Sequence, residues 1–187
     1  NVMWKPKVTL WYDYLSGNND ENMAEGTWSQ FDTVYDTGHK FYGFMDLFLN
    51  NTGAGTKFFG LQDAAVKIVM KPAAGWTLKA DYHHFLTAES IGGNPGLATR
   101  TGVQATDTSD LEDRKVLGAA QNRGLGNHLG DELDFTLVHA YNANTKLSFG
   151  YSVFMAETLF HALKGNSSHY GLANNAHWAY VQAAVKF

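Results

Sequence analysis

The sequence predicts an all-β fold, an antiparallel transmembrane β-barrel of the kind that crosses the bacterial outer membrane, and three observations predict it. Six segments of about ten residues alternate apolar and polar side chains with period two, the spacing at which a strand sends successive residues to opposite faces. The connections between them alternate between tight turns and very long loops, as outer-membrane barrels place short turns at one end and long loops at the other. No stretch reaches the 18 or more consecutive apolar residues of a membrane helix, and mean hydropathy is only -0.28.

The first segment sets Val8, Leu10, Tyr12 and Tyr14 against Lys7, Thr9, Trp11 and Asp13. The second sets Ala64, Val66, Ile68 and Met70 against Asp63, Ala65, Lys67, Val69 and Lys71. In the third, Trp76, Leu78, Ala80 and Tyr82 oppose Thr77, Lys79, Asp81 and His83. Leu133, Phe135, Leu137 and Tyr141 oppose Glu132, Asp134, Thr136 and Val138 in the fourth. The fifth opposes Leu147, Phe149, Tyr151, Val153 and Met155 to Lys146, Ser148, Gly150 and Ser152. The last opposes Ala179, Val181, Ala183, Val185 and Phe187 to Trp178, Tyr180, Gln182 and Lys186.

Residues 72–76 (PAAGW) and 142–145 (NANT) carry the Pro, Gly and Asn of tight reversals. Residues 16–60, 88–129 and 158–176 are the long connections, of a length that a soluble domain rarely leaves without elements of its own. With short turns at the periplasmic end, strands one, three and five rise and the others descend. Lys7, Lys71, Lys79, Lys146 and Lys186 then fall near the short-turn end, with Lys67 at mid-height. Asp13, Asp63, Glu132 and Asp134 fall near the long-loop end, with Asp81 between. All eleven occupy the polar parity, because a Lys on the lipid face at mid-bilayer costs about 2–4 kcal/mol. They are the expected lining of a solute path through a water-filled lumen. The competing reading is that they pair across strands and merely neutralise the interior; removing the lysines separates the two.

Rings on the apolar parity, Tyr12, Tyr14, Trp76, Tyr82, Tyr141 and Tyr151, lie mostly near strand ends, where membrane-interface girdles form; an ordinary packed aromatic core is the alternative. The terminal Phe187 falls at the periplasmic rim on the lipid-facing parity, the position at which barrels of this class present an aromatic to the barrel-assembly machinery. Outer-membrane lipid, that machinery and a hydrophilic solute are the expected partners.

Composition narrows function by exclusion. Lys and Arg total 14 against 18 acids, a net charge of -4, which argues against nucleic acid. With no cysteine there is no disulfide and no thiol chemistry. Asp36-Thr37-Gly38 lacks the preceding apolar strand and the second copy of an aspartic-protease loop. His83, His84, His128, His139, His161, His169 and His177 show no zinc-ligand spacing, and DTSDLED (107–113) lacks the register of a calcium loop. No GxSxG, P-loop or dinucleotide fingerprint occurs. The expectation is a non-enzyme without catalytic residues, cofactor or metal. The opening NVMWKPKV has no signal-peptide pattern, so the chain reads as starting downstream of one.

Two motifs carry a family resemblance. FDTVYDTGHKFYGFMDLF (31–48) resembles the signature of the alginate-export family of outer-membrane barrels, in which an aromatic-Asp stretch leads into Gly-His-Lys and an aromatic Gly-x-x-Asp, here Phe31, Asp32, Gly38, His39, Lys40, Gly43 and Asp46. GDELDF (130–135) resembles the same family's Gly-x-Glu-Leu-Asp strand opening, and the LSG after the first strand also fits. The resemblance runs from about residue 5 to the terminal VKF. It implies a barrel of about eighteen strands that moves a solute, an anionic polysaccharide in the named member, across the outer membrane. The family's arginine-rich constriction has no match on these strands: Arg100, Arg114 and Arg123 all lie in one long loop, which weighs against alginate itself. Six strands fall short of the eight that usually close a barrel, so the single domain 1–187 is expected to be the C-terminal part of a larger one, or to close with strands from elsewhere. Two other readings remain at this point: a soluble β-sandwich or carbohydrate-binding module, and a structural barrel plugged by residues 16–60, with HKFYGFMDLF (39–48) as a strand extension or short helix across the mouth.

Overall fold

A computed structural model describes residues 4–18, 27, 29–31, 33, 38–39, 41–48, 56, 59–89, 126–160 and 175–187. The strands are β1 (Trp4–Leu15), β2 (Leu61–Lys71), β3 (Trp76–Leu86), β4 (His128–Ala140), β5 (Thr145–Ala156) and β6 (Ala176–Val185). They form one antiparallel sheet in the order β1-β2-β3-β4-β5-β6, each strand paired with its sequence neighbours. All six expected segments are strands. Their bounds shift by a few residues: β4 begins at His128, inside the expected long connection, and β6 ends at Val185 rather than Phe187.

The short turns behave as their residues dictate. Gly75 takes a positive φ of 76° in the β2–β3 turn, and Trp76 N bonds Ala73 O to close it. The β4–β5 turn is drawn tight by Asn142, whose side chain accepts a bond from Asn144 N at 2.8 Å. Neither β1 nor β6 finds a partner on its far side, so the sheet of the described residues does not close into a barrel.

Register converts the alternation into rows that cross the sheet. On one face, Thr9, Lys67, Asp81, Asp134, Ser152 and Trp178 lie side by side, and one step nearer the long loops stand Trp11, Ala65, His83, Glu132, Phe154 and Ala176. Asp13 and Asp63 head the face at its long-loop end. On the other face run Val8, Ile68, Ala80, Phe135, Tyr151 and Ala179, and next to them Leu10, Val66, Tyr82, Leu133, Val153 and His177.

The two faces differ in the opposite sense from a water-soluble sheet. Leu10 is 79% exposed, Val181 74% and Phe135 45%, whereas Asp63 and Glu132 are 0% exposed and Asp134 3%. A sandwich would bury the apolar parity under a second sheet; among the described residues none lies there, and the polar parity is the covered one. The alternative of an ordinary packed aromatic core on the apolar parity is likewise not found among the described residues, since Tyr12, Tyr14, Tyr82, Tyr141 and Tyr151 are all exposed.

The core sits on the polar face at the long-loop end. Leu15, Leu61, Phe85, Leu129, Phe154 and Ala156 from the strand ends enclose Tyr42, Phe48, Phe59 and Leu159 from the connections. Phe48 contacts the Phe85 ring at 4.6 Å and is 1% exposed. Gly130 makes this packing possible. Its φ is 149°, and a Cβ there would stand 2.5 Å from Met155 O and 2.6 Å from the Phe154 ring.

Several sequence expectations fall outside the described residues: Arg100, Arg114 and Arg123, the 107–113 acidic stretch, Asp36-Thr37, Asp32, Lys40, His161 and His169.

Candidate functional site on the inner face

The site is the polar face of the sheet together with residues 38–39 and 41–48, which lie against it. These residues form neither a strand nor a helix, correcting both expectations for HKFYGFMDLF. They make a succession of turns in which His39, Tyr42 and Asp46 adopt positive φ (60°, 59° and 56°) beside Gly43 at 80°. A non-glycine residue holds that conformation only when its surroundings compensate for it. Here Asp46 supplies part of the compensation: its Oδ1 accepts the His39 amide at 2.8 Å, and its Oδ2 lies 2.9 Å from His39 Nδ1, which also meets Phe44 O at 2.7 Å. The segment is thus tied end to end through its own His and Asp.

Three carboxylates of the sheet hold it down. Met45 N donates to Glu132 Oε1 at 2.9 Å, Phe44 N to Asp134 Oδ2 at 3.3 Å, and Tyr42 Oη to Asp13 Oδ2 at 2.9 Å. Burial and the bond to Asp13 push the Tyr42 phenol well above its usual range. Ser152 Oγ donates to the other oxygen of Asp134. The close approach requires glycine at position 43, because a Cβ would stand 2.5 Å from Glu132 Oε1. Deeper in the same face His83 Nδ1 meets both oxygens of Asp63 at 2.9 Å, a buried pair. Thus the two motifs that carried the family resemblance, 31–48 and 130–135, are physically joined: Gly43, Phe44 and Met45 of one sit on Glu132 and Asp134 of the other.

Beside this contact runs an aromatic row. Phe44 stacks on Tyr180 (6.3 Å, 7°), His39 stacks on Trp178 (5.1 Å), and Trp178 and Tyr180 lie 4.9 Å apart on the inner parity of β6. On the opposite flank Trp11 lies 5.9 Å from Phe41, with Lys67 Nζ 5.7 Å from the Trp11 ring centroid.

Ten of the eleven residues expected to line a path lie on the strands at this face's parity, in two environments, and Lys186 lies just beyond the end of β6. Asp63, Glu132 and Asp134 are buried, with Asp13 and Asp81 partly so, in the half near the long loops. Lys7, Lys71, Lys79, Lys146 and Lys186 remain exposed in the half near the short turns, and Lys67 is intermediate. Every ion pair among the described residues joins a histidine to a carboxylate, so these lysines make none. Lys67 and Asp81 are register neighbours without being an ion pair. Sequence reading missed Tyr42, Phe44, His83, Ser152, Trp178 and Tyr180. The available signal was their polar parity, or, for residues 42 and 44, membership in the motif.

Among the described residues no helix is long and apolar enough to cross a membrane, a statement that leaves strands untouched. No curated protein and no solved structure matches the chain. A family model described as alginate export matches residues 1–174. With the match spanning nearly the whole sequence, the chain belongs to the alginate export family.

Proposed function

We propose that this chain is part of an outer-membrane channel that passes a hydrophilic solute, without catalysis, along the polar face of the sheet. The observation that carries the reading is the inversion of the two faces: exposed Leu10, Phe135 and Val181 outside, buried Asp63, Glu132 and Asp134 inside. In water an exposed apolar sheet face is a liability; in a bilayer it is the required lipid contact. The open edges of β1 and β6 support closure by further strands, since unpaired backbone groups in hydrocarbon cost several kcal/mol each. Membership in the alginate export family supports a solute of the polysaccharide class, and the lysines of the short-turn half, without ion pairs among the described residues, suit an anionic chain. The lysines take the place of the arginine-rich constriction in this proposal.

A second reading is favoured by the docked segment 38–48: the inner face is obstructed at its long-loop end, so passage is narrow there or the segment must move. Planar-bilayer recording from the full-length protein tests both. A channel gives stepwise current that grows when Gly43 or Glu132 is substituted to undock the segment. Persistent absence of current from wild type and undocked variants alike contradicts the channel; current only in the undocked variants supports the plug.

A further inference from the structure

We propose that His84, His128 and Asp131 form a binding site for a divalent transition-metal ion on the outward parity of the sheet, at the base of the long connection between β3 and β4. The residues bring one potential ligand atom each to within 4.8 Å of the other two. A tetrahedral ion bound by nitrogen and oxygen at about 2.0–2.2 Å needs donors roughly 3.3 Å apart, so small side-chain rotations complete the geometry. Spacing along the chain conceals the cluster, because His84 and His128 are brought together only by antiparallel pairing. Asp131 is the register partner of His84, and the irregularity between Phe85 and Leu86 sets Leu86 opposite His128. The two imidazoles consequently lie 4.4 Å apart, centroid to centroid.

The chemistry of His128 points to a cation. Its Nε2 is buried at the atomic level and has no hydrogen-bond partner among the described residues, yet it faces Asp131 Oδ2 at 3.4 Å. Its other nitrogen, Nδ1, lies 3.9 Å from Glu157 Oε1. With its proton on Nδ1, toward Glu157, His128 turns a lone pair on Nε2 toward a second carboxylate, and an ion held there satisfies both. Two lone-pair donors facing one another repel unless a proton or a metal ion lies between them. Glu157 is placed as the outer partner that orients a metal-bound imidazole. Asp131 is held by Tyr82 Oη at 2.7 Å and by His84 Nδ1 at 2.7 Å, both on Oδ1, so Oδ2 remains available to an ion. The three side chains are partly exposed (His84 37%, His128 31%, Asp131 22%), which gives an ion access. The site lies on the opposite face from Glu132 and the solute path, and its occupation would clasp the ends of β3 and β4.

Isothermal titration of ZnCl2 into the detergent-purified protein at pH 7.5 tests the proposal, with heat-modifiable electrophoretic mobility confirming that each variant is folded. The expected result is one ion bound at micromolar or tighter affinity. His128→Gln and, independently, His84→Gln should each weaken binding at least tenfold, while His177→Gln, on the same face beside Tyr151, leaves it unchanged. Binding that is absent in wild type, or unaltered in both folded variants, overturns the site. If His128→Gln fails to fold, His84→Gln and Asp131→Asn carry the same comparison.

Discussion

The two halves of the inner face carry the same alternation and the same parity, yet they end in different states. Near the long loops, Asp63, His83, Glu132 and Asp134 are almost wholly buried, and Phe48, Phe59 and Leu159 join Phe85 and Phe154 in the apolar cluster at the same end. Near the short turns, Lys7, Lys71, Lys79 and Lys146 lie on the same side of the same strands and stay exposed. The strands do not make this difference; residues 38–39, 41–48 and 59 do, by lying over one half only. Alternation therefore decides which face a residue joins, and the docked segment decides whether that face is covered. An inner-face carboxylate becomes a structural acceptor where backbone amides reach it, and an inner-face lysine stays exposed where nothing does.

Breaking the distinction between faces should have the largest effect. Phe149 and Ser148 are neighbours on β5 that point to opposite faces, outward and inward. On the proposed membrane reading, Phe149→Lys places a charge against lipid and should cost about 2–4 kcal/mol toward the bilayer midplane, whereas Ser148→Lys should stay within about 1 kcal/mol. Denaturant unfolding from lipid vesicles, followed by tryptophan fluorescence, compares them; equal costs would mean that neither side contacts lipid.

Breaking the distinction between halves comes next. Glu132→Leu removes the acceptor of the Met45 amide and should cost about 1–3 kcal/mol for the stranded donor. Hydrogen exchange at Phe44 and Met45 should speed at least tenfold, with exchange in β1–β2 pairing at Lys7 and Val69 unchanged. Gly43→Val attacks the same contact from the other side and should give the same exchange pattern. Protection that survives in both variants would show that the segment is held by its hydrophobic packing alone.

A smaller effect is expected at the flank. Tyr42→Phe deletes one bond to Asp13 and should cost about 1 kcal/mol. Because the folded state raises the Tyr42 pKa above its unfolded value, the protonated phenol stabilises the fold fully below the ordinary tyrosine range, at about pH 10. That contribution is lost as pH climbs through and beyond it. Wild type should thus lose more stability than Tyr42→Phe between pH 9 and pH 11, checked by denaturant midpoints at each pH. The smallest change in stability should follow Lys79→Gln, within about 0.5 kcal/mol, accompanied by reduced anion preference in the reversal potential of the full-length channel.

Much of this architecture could be read from the sequence because it is local. Period two identified the six strands and sorted Lys67, Asp81 and Asp134 from Ile68, Ala80 and Phe135, and Pro72, Gly75 and Asn142 located the turns. The docked segment resisted the same reading for physical reasons. Its partners are distant, Phe44 and Asp134 being 90 residues apart, and its positive φ values at His39, Tyr42 and Asp46 follow no period. Nothing in a row of alternating residues distinguishes Glu132, which accepts an amide, from Lys79, which meets water. The family resemblance flagged both motifs, but their contact with one another required the fold. The His84, His128 and Asp131 cluster was hidden likewise by pairing across a long connection.

The absence of cysteine allows the central claim, that alternate side chains meet lipid and water, to be measured residue by residue. Single cysteines placed in turn from Lys146 to Val153 on β5 of the full-length protein in lipid vesicles, each carrying a nitroxide, report collision with oxygen and with a water-soluble nickel chelate. The account predicts oxygen maxima at Leu147, Phe149, Tyr151 and Val153 and chelate access, where the face is open, at Lys146 and Ser148. Uniform chelate access at all positions, or oxygen maxima on the even-numbered residues, would contradict it.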